Sequence, residues 1–255
     1  MALEIKQFMI GSDNFGILMH NPETGMTASI DAGDADIIEA ELKANGWKLT
    51  HILITHHHSD HTAGIEKLKE RYHAYVYASA LDQHRIQLVD EFVYEGAEVW
   101  FGDILFDVIE TPGHTNGHIA YYCQQEAIVF TGDTLFSLGC GRLFEGLPGD
   151  MWASLGKLGF LPDETRMYCG HEYTLANARF ALGIDPNNAA LVARAAQVEE
   201  LRAKGQFTLP TTIGAEKATN PFMRAARPEI AAAMGLTGSG PVAVFAALRE
   251  AKNKA

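Results

Sequence analysis

Apolar and polar positions along the 255-residue chain follow two regimes that change near residue 172. In the first, short apolar runs alternate with turn residues. Segments 5–9, 15–20 and 27–30 read as strands, parted by Gly11-Ser12-Asp13-Asn14 and Asn21-Pro22. Asp31-Ala32-Gly33-Asp34 closes the third strand. A helix over 35–44 follows, with Ile37, Ile38 and Leu42 inward and Asn45-Gly46 stopping it. His51-Ile52-Leu53-Ile54 reads as a buried strand. Ile65, Leu68 and Tyr72 fall at i, i+3 and i+7 among charged residues, which predicts an amphipathic helix over 65–72. A strand over 73–77 and a short helical piece around 83–85 come next. Strands are predicted at 98–101, 104–109, 118–123 and 127–131; several alternate, the pattern of an antiparallel, half-covered sheet. A helix over 151–158 with Asp150 as its N-cap precedes a last strand at 166–170.

Beyond Tyr173 only helical periods remain. They predict helices over 174–182, over 189–204 with Leu191, Val192, Ala195, Val198 and Leu201 on one face, and over 242–252 with Pro241 in the first turn. A Pro-containing link occupies 208–212. The expected organisation is α+β, with one domain over 1–172 and an all-helical one over 173–255.

Composition changes little in this picture. Apolar residues make up 47% and charged residues 20%, ordinary for a globular protein. No stretch approaches the ~18 apolar residues of a membrane span, and the N-terminal residues carry no secretory pattern. Three cysteines, Cys123, Cys140 and Cys169, show no paired spacing and read as reduced thiols, so the cytoplasm is the expected location. The net charge of −12 argues against a nucleic-acid partner. From Pro186 onward, however, nine basic residues face five acidic ones, which suggests that the tail grips an anionic small molecule.

The chemistry is concentrated in Thr55–His61, THHHSDH, where five of seven residues are histidine or aspartate on the turn from a strand into a helix. In an extended segment His56 and His58 point to one side and can share an ion while His57 turns away. Asp60 and His61 follow at the start of the helix and suit a second ion. These donors fit zinc, iron or manganese. Two ions need more ligands than this motif offers, and three candidates follow glycines at strand ends: His114 in Thr111-Pro112-Gly113-His114, Asp133 in Thr131-Gly132-Asp133-Thr134, and His171 after Gly170. His118 reads as structural, as do His20, His51, His73 and His84.

THHHSDH followed by TPGHTNGH, TGDTLF and CGHEYT resembles the metallo-β-lactamase superfamily. With GCGRLFEG at 139–146, HEYTLAN at 171–177 and NPFMR at 220–224, the whole chain is similar to the glyoxalase II, or hydroxyacylglutathione hydrolase, family. The resemblance implies an αββα sandwich with a C-terminal helical domain that binds glutathione. It implies a first metal on His56, His58 and His114, a second on Asp60, His61 and His171, and Asp133 bridging both, with zinc the expected metal and iron or manganese also accepted. Arg142, Phe144, Tyr173, Arg224 and Arg227 fall where the family holds glutathione. Phe144 stands where a tyrosine is frequent, Ala63 where a glycine is frequent and Ala32 where a proline is frequent.

The implied reaction is hydrolysis of S-2-hydroxyacylglutathione, S-D-lactoylglutathione in the family, to glutathione and a 2-hydroxy acid. The attacking species would be a hydroxide held between two metals, with Asp60 orienting it or taking its proton. A single-iron dioxygenase, a lactonase or a β-lactamase would not need the tail with NPFMR, and a non-catalytic metal module would have no use for a substrate grip. A monomer or weak homo-oligomer is expected.

Overall fold

The computed structural model describes residues 3–255, which form two compact units: the chain up to 110 together with 117–132, and 111–116 together with 133–255. The first unit contains a six-stranded sheet in the order β1 (Glu4–Ile10), β2 (Asn14–His20), β3 (Thr27–Ile30), β4 (His51–Leu53), β5 (Tyr75–Ser79), β6 (Glu91–Val93). Its first three strands form an antiparallel meander, and β3 to β6 run parallel. The parallel half is built by crossover helices. α1 (Ala35–Asn45) is capped by Asp34, whose carboxylate accepts from the N–H groups of Asp36 and Ile37, and Gly46 closes it in the left-handed conformation. The short α2 (Ser59–Thr62) and α3 (Ile65–Tyr72) join β4 to β5.

The predicted inward faces meet in one core, where Ile38 and Leu42 of α1 and Leu68 of α3 pack with Leu18, Ile52, Ile54 and Val76 of the sheet. Ile54 continues the direction of β4, so the apolar run that buries the strand also delivers Thr55 and the histidines at its parallel, C-terminal end. The same unit holds a second meander, β7 (Glu98–Phe101), β8 (Ile104–Glu110), β9 (Ile119–Cys123) and β10 (Ile128–Phe130), antiparallel throughout.

The second unit contains the two-residue hairpin β11 (Leu135–Phe136) and β12 (Gly139–Cys140), the antiparallel pair β13 (Arg166–Tyr168) and β14 (Thr211–Thr212), and six helices: α4 (Pro148–Gly159), α5 (Thr174–Ile184), α6 (Ala189–Ala203), α7 (Ile213–Thr219), α8 (Pro228–Ala233) and α9 (Pro241–Asn253). Glu172 ties the start of this helical stretch to its middle, accepting from the Thr208 N–H at 2.9 Å and from its hydroxyl at 2.6 Å.

Several expectations need correction. Asp150 is not the cap of α4: Pro148 opens the helix two residues earlier, and the Asp150 carboxylate reaches back to the Leu147 N–H at 2.7 Å. The strand expected over 73–77 begins only at Tyr75, because His73 takes φ 54° and closes α3. Residues 83–85 form turns, and among the described residues the single 3₁₀ turn lies at Ala80–Asp82. The second meander is half-covered at β7 and β8 only; β9 and β10 are buried on both faces. The helical tail includes β14, and α7 and α8 were not expected; both are too short to show a period.

Candidate metal centre

In the first unit the THHHSDH turn is shaped by one buried carboxylate. Asp31, at the end of β3 with φ 60°, accepts from the Thr55 N–H at 2.7 Å and from the Thr55 hydroxyl at 2.9 Å. It also pairs with His61 Nδ1 at 2.7 Å, while Thr55 Oγ1 lies 3.0 Å from His56 Nδ1. Held at Nδ1, each ring presents Nε2 to a neighbouring candidate donor, the arrangement by which proteins orient metal-binding imidazoles. His56 is fully buried and His61 nearly so, whereas Asp60 is exposed. His56 Nε2 and His58 Nδ1 are 3.1 Å apart, and His61 Nε2 lies 3.6 Å from Asp60 Oδ2. Asn14 donates to the Asp60 carbonyl at 2.6 Å and so steadies α2. His57 turns away, as the alternation predicts, toward Arg85 at 3.2 Å and Asp82 at 3.4 Å.

The second unit supplies another set. His114 Nε2 and His171 Nε2 both converge on Asp133 Oδ2, at 3.5 and 3.3 Å. All three residues are buried. The Arg142 carbonyl holds His114 Nδ1 at 2.8 Å, which turns Nε2 toward Asp133. His171 stacks face to face on Tyr173, with ring centroids 4.8 Å apart, and His114 meets Phe144 edge-on.

The donor chemistry of each set fits a metal. Ligands bound at about 2.0–2.1 Å to a tetrahedral ion lie about 3.3–3.4 Å from one another. The 3.1, 3.3 and 3.5 Å separations above are of that size. Two unprotonated nitrogens facing each other gain nothing from that approach unless a proton or a cation lies between them.

Among the residues expected to touch substrate, Arg142, Phe144, Tyr173 and Arg227 are exposed. Arg224 is engaged within the fold, pairing with Asp185 at 3.2 Å and Glu229 at 2.9 Å. Two features escaped the sequence reading. One is Asp31, which looked like a strand-ending turn residue. The other is Lys252, whose pKa is pushed down by burial and by the nearby Arg249 and Arg142. The signal for Lys252 was its spacing from Arg249 on α9.

Comparison with known proteins agrees with this chemistry. The family model of the metallo-β-lactamase superfamily matches residues 23–171, and that of the hydroxyacylglutathione hydrolase C-terminus matches 172–255. A hydroxyacylglutathione hydrolase of Rhodopseudomonas palustris (strain BisA53) is 55% identical over 254 residues, 100% of both chains. The chain belongs to the hydroxyacylglutathione hydrolase family. One of Maricaulis maris is 51% identical over 98% of each chain. Among solved structures, ETHE1 from Myxococcus xanthus superposes with a TM-score of 0.67 at 28% identity, covering 98% of both chains. A protein described as TTHA1623 in a di-iron-bound form gives 0.63 at 27% identity, covering 86% of this chain and 99% of that one. This hydrolase therefore has the expected α+β architecture of metallo-β-lactamase type with a helical C-terminal region.

In the hydrolase, His118 is fully buried and stacks on His56 with centroids 4.9 Å apart, a packing role. His20 stacks on Trp47, and His51 sits among Tyr75, Tyr77 and Phe101, where burial lowers its pKa. Cys123, Cys140 and Cys169 are buried free thiols, and no helix of the described residues is long and apolar enough to cross a membrane.

Proposed function

We propose that this hydrolase cleaves S-(2-hydroxyacyl)glutathione thioesters, S-D-lactoylglutathione first among them, to glutathione and a 2-hydroxy acid. Two divalent ions, zinc in the first instance, would be held by His56, His58 and His114 and by Asp60, His61 and His171, with Asp133 common to both. The observation that carries the reading is the convergence of His114 and His171 on one Asp133 oxygen, in a chain matched along its whole length by hydroxyacylglutathione hydrolases. The di-iron form of TTHA1623 supports a pair of ions.

Bound there, the ions would lower the pKa of a water toward neutrality and so provide hydroxide for attack on the thioester carbonyl. The protein's own groups do the rest. Asp31, Thr55 and the Arg142 carbonyl hold the imidazoles in one tautomer. Asp60, exposed beside His61, is the group placed to orient the water or take its proton. The glutathione thiol leaves as a thiolate without a strong acid, because its pKa lies near that of a free cysteine, ~8.5. Arg142, Tyr173, Phe144, Arg224 and Arg227 form the proposed grip on glutathione, which carries two carboxylates. Lys252, near Arg142, adds positive charge to it. Phe144 offers no phenolic hydroxyl. The catalytic part is assigned to 1–172 and the glutathione-binding part to 173–255, in accord with where the two family models meet. A cytoplasmic monomer or weak homo-oligomer completes the proposal.

The test is a thioesterase assay with S-D-lactoylglutathione beside a metal count per chain. His58→Ala and Asp133→Ala should each lose metal and turnover; unchanged values for both would refute the ligand assignment.

A further inference from the structure

Two motifs of the sequence, GCGR at 139–142 and NPFMR at 220–224, are only partly used by the function above; their remaining residues find their reason in each other. The arm between Asp133 and Arg142 is folded on a hairpin with just two pairs, Leu135 with Cys140 and Phe136 with Gly139. Two such rungs do not hold a conformation in isolation. Its tip, Leu138, takes φ 59°, a left-handed conformation that side-chain-bearing residues rarely adopt. The whole stretch is buried, so its backbone groups need partners.

Those partners are side chains of the C-terminal helical stretch. The Asn220 amide donates to the Gly139 carbonyl at 2.9 Å and to the Phe136 carbonyl at 3.2 Å. The Glu216 carboxylate accepts from the Leu138 N–H at 2.7 Å and the Ser137 hydroxyl at 3.0 Å, and Asn220 bonds it at 3.0 Å. Asn177 donates to the Ser137 carbonyl at 3.1 Å, and Arg249 to the Cys140 carbonyl at 2.7 Å. Glu216 and Asn220 are both fully buried. The two ends of the arm come back together at Gly141, where a Cβ would lie 2.0 Å from the Asp133 carbonyl and 3.1 Å from His114 Nδ1. A shift of the hairpin therefore moves the Asp133 carboxylate, the Arg142 carbonyl that orients His114, and the Arg142 side chain in concert.

We infer that Asn220 and Glu216 are positioning residues: they clamp the 135–140 hairpin and thereby set the donor group His114–Asp133–His171 and the placement of Arg142. This rests on the reading that these residues bind metal and glutathione. The tail, on this account, shapes the metal arm as well as holding substrate.

Asn220→Asp tests it in the full-length protein. The change keeps the shape but sets a carboxylate against the Phe136 and Gly139 carbonyls and the Glu216 carboxylate. Zinc affinity, measured by competition with a chelator well below the melting temperature, should fall tenfold or more, and KM for S-D-lactoylglutathione should rise tenfold or more. Glu216→Gln, which retains one acceptor for Leu138 and Asn220, should stay within threefold of the parent on both measures. Ile230→Ala, a buried change in α8 outside the hydrogen bonds that hold the arm, should lower the melting temperature and leave both measures unchanged. If Asn220→Asp fails to fold, Asn177→Ala carries the same comparison at smaller amplitude. A folded Asn220→Asp protein with parental zinc affinity and KM would overturn the inference, as would equal losses in Ile230→Ala. A parent protein that takes up no zinc would instead sink the metal reading, and this inference with it.

Discussion

Asp31 shows how much one side chain can decide. It satisfies a backbone N–H, a hydroxyl and an imidazole at once, linking His61 directly and His56 through Thr55. In Asp31→Ala those buried donors lose their acceptor, so the metal-free protein should lose about 1–3 kcal/mol of stability in denaturant melts. Zinc affinity should drop by about 10–100-fold, read by chelator competition. At the substrate end, Arg142→Ala should raise KM by about 10–100-fold with kcat nearly unchanged, the scale of a lost charge-assisted contact. Arg224→Ala should raise KM by the same order and also lower stability, because the buried Asp185 carboxylate keeps only Asn188 and loses its charged partner. Steady-state kinetics beside thermal melts separates the two. The candidate metal donors were picked out by residue type and spacing. Asp31 was not, because nothing local distinguishes a turn aspartate that turns inward to serve two histidines.

At the level of elements, the candidate ligands stand where short secondary structures stop. β4 is buried by its apolar run and ends just before Thr55, and α2 begins at Ser59, so the histidines occupy the turn between a strand and a helix. Gly33, between β3 and α1, permits this turn: a Cβ there would lie 2.1 Å from the Asp60 carbonyl, which Asn14 also approaches. Gly33→Ala must push the Asp60–His61 turn aside. It should lower zinc affinity about tenfold, a displacement cost of about 1.4 kcal/mol; unchanged affinity in a folded variant would show that the turn adapts freely. Element positions were predictable where a period or a cap was strong, as in α1, α3 and α9. They were not predictable for β11, β12, α7 and α8, which are too brief to carry a period and are fixed by side chains from distant segments.

Across the whole molecule, burial of thiols predicts an alkaline limit to stability. Burial raises the Cys140 pKa from 9.0 to about 11, with Arg249 only partly offsetting it. The unfolded chain thus loses this proton near pH 9 while the folded chain keeps it to about pH 11. The contribution is fully present below pH 9 and is lost as pH rises to about 11, a change of about 2–3 kcal/mol for two pKa units. Denaturant melts from pH 8 to 11 should show the decline, and Cys140→Ala should make it shallower; an equal slope would count against the shift. By itself the sequence determined the α+β class, the switch from strands to helices near residue 172, the seven candidate ligands and the family, because apolar period, glycine placement and donor type are properties of neighbours along the chain. Only the tertiary structure decided that His61 Nδ1 meets Asp31 and His114 Nδ1 the Arg142 carbonyl, that Arg224 is held by Asp185 and Glu229, and that Asn220 and Glu216 hold the hairpin beside Asp133. Hydrogen bonds are directional and act over about 3 Å, so partners as much as 81 positions apart are chosen by folding and leave no periodic trace in the chain.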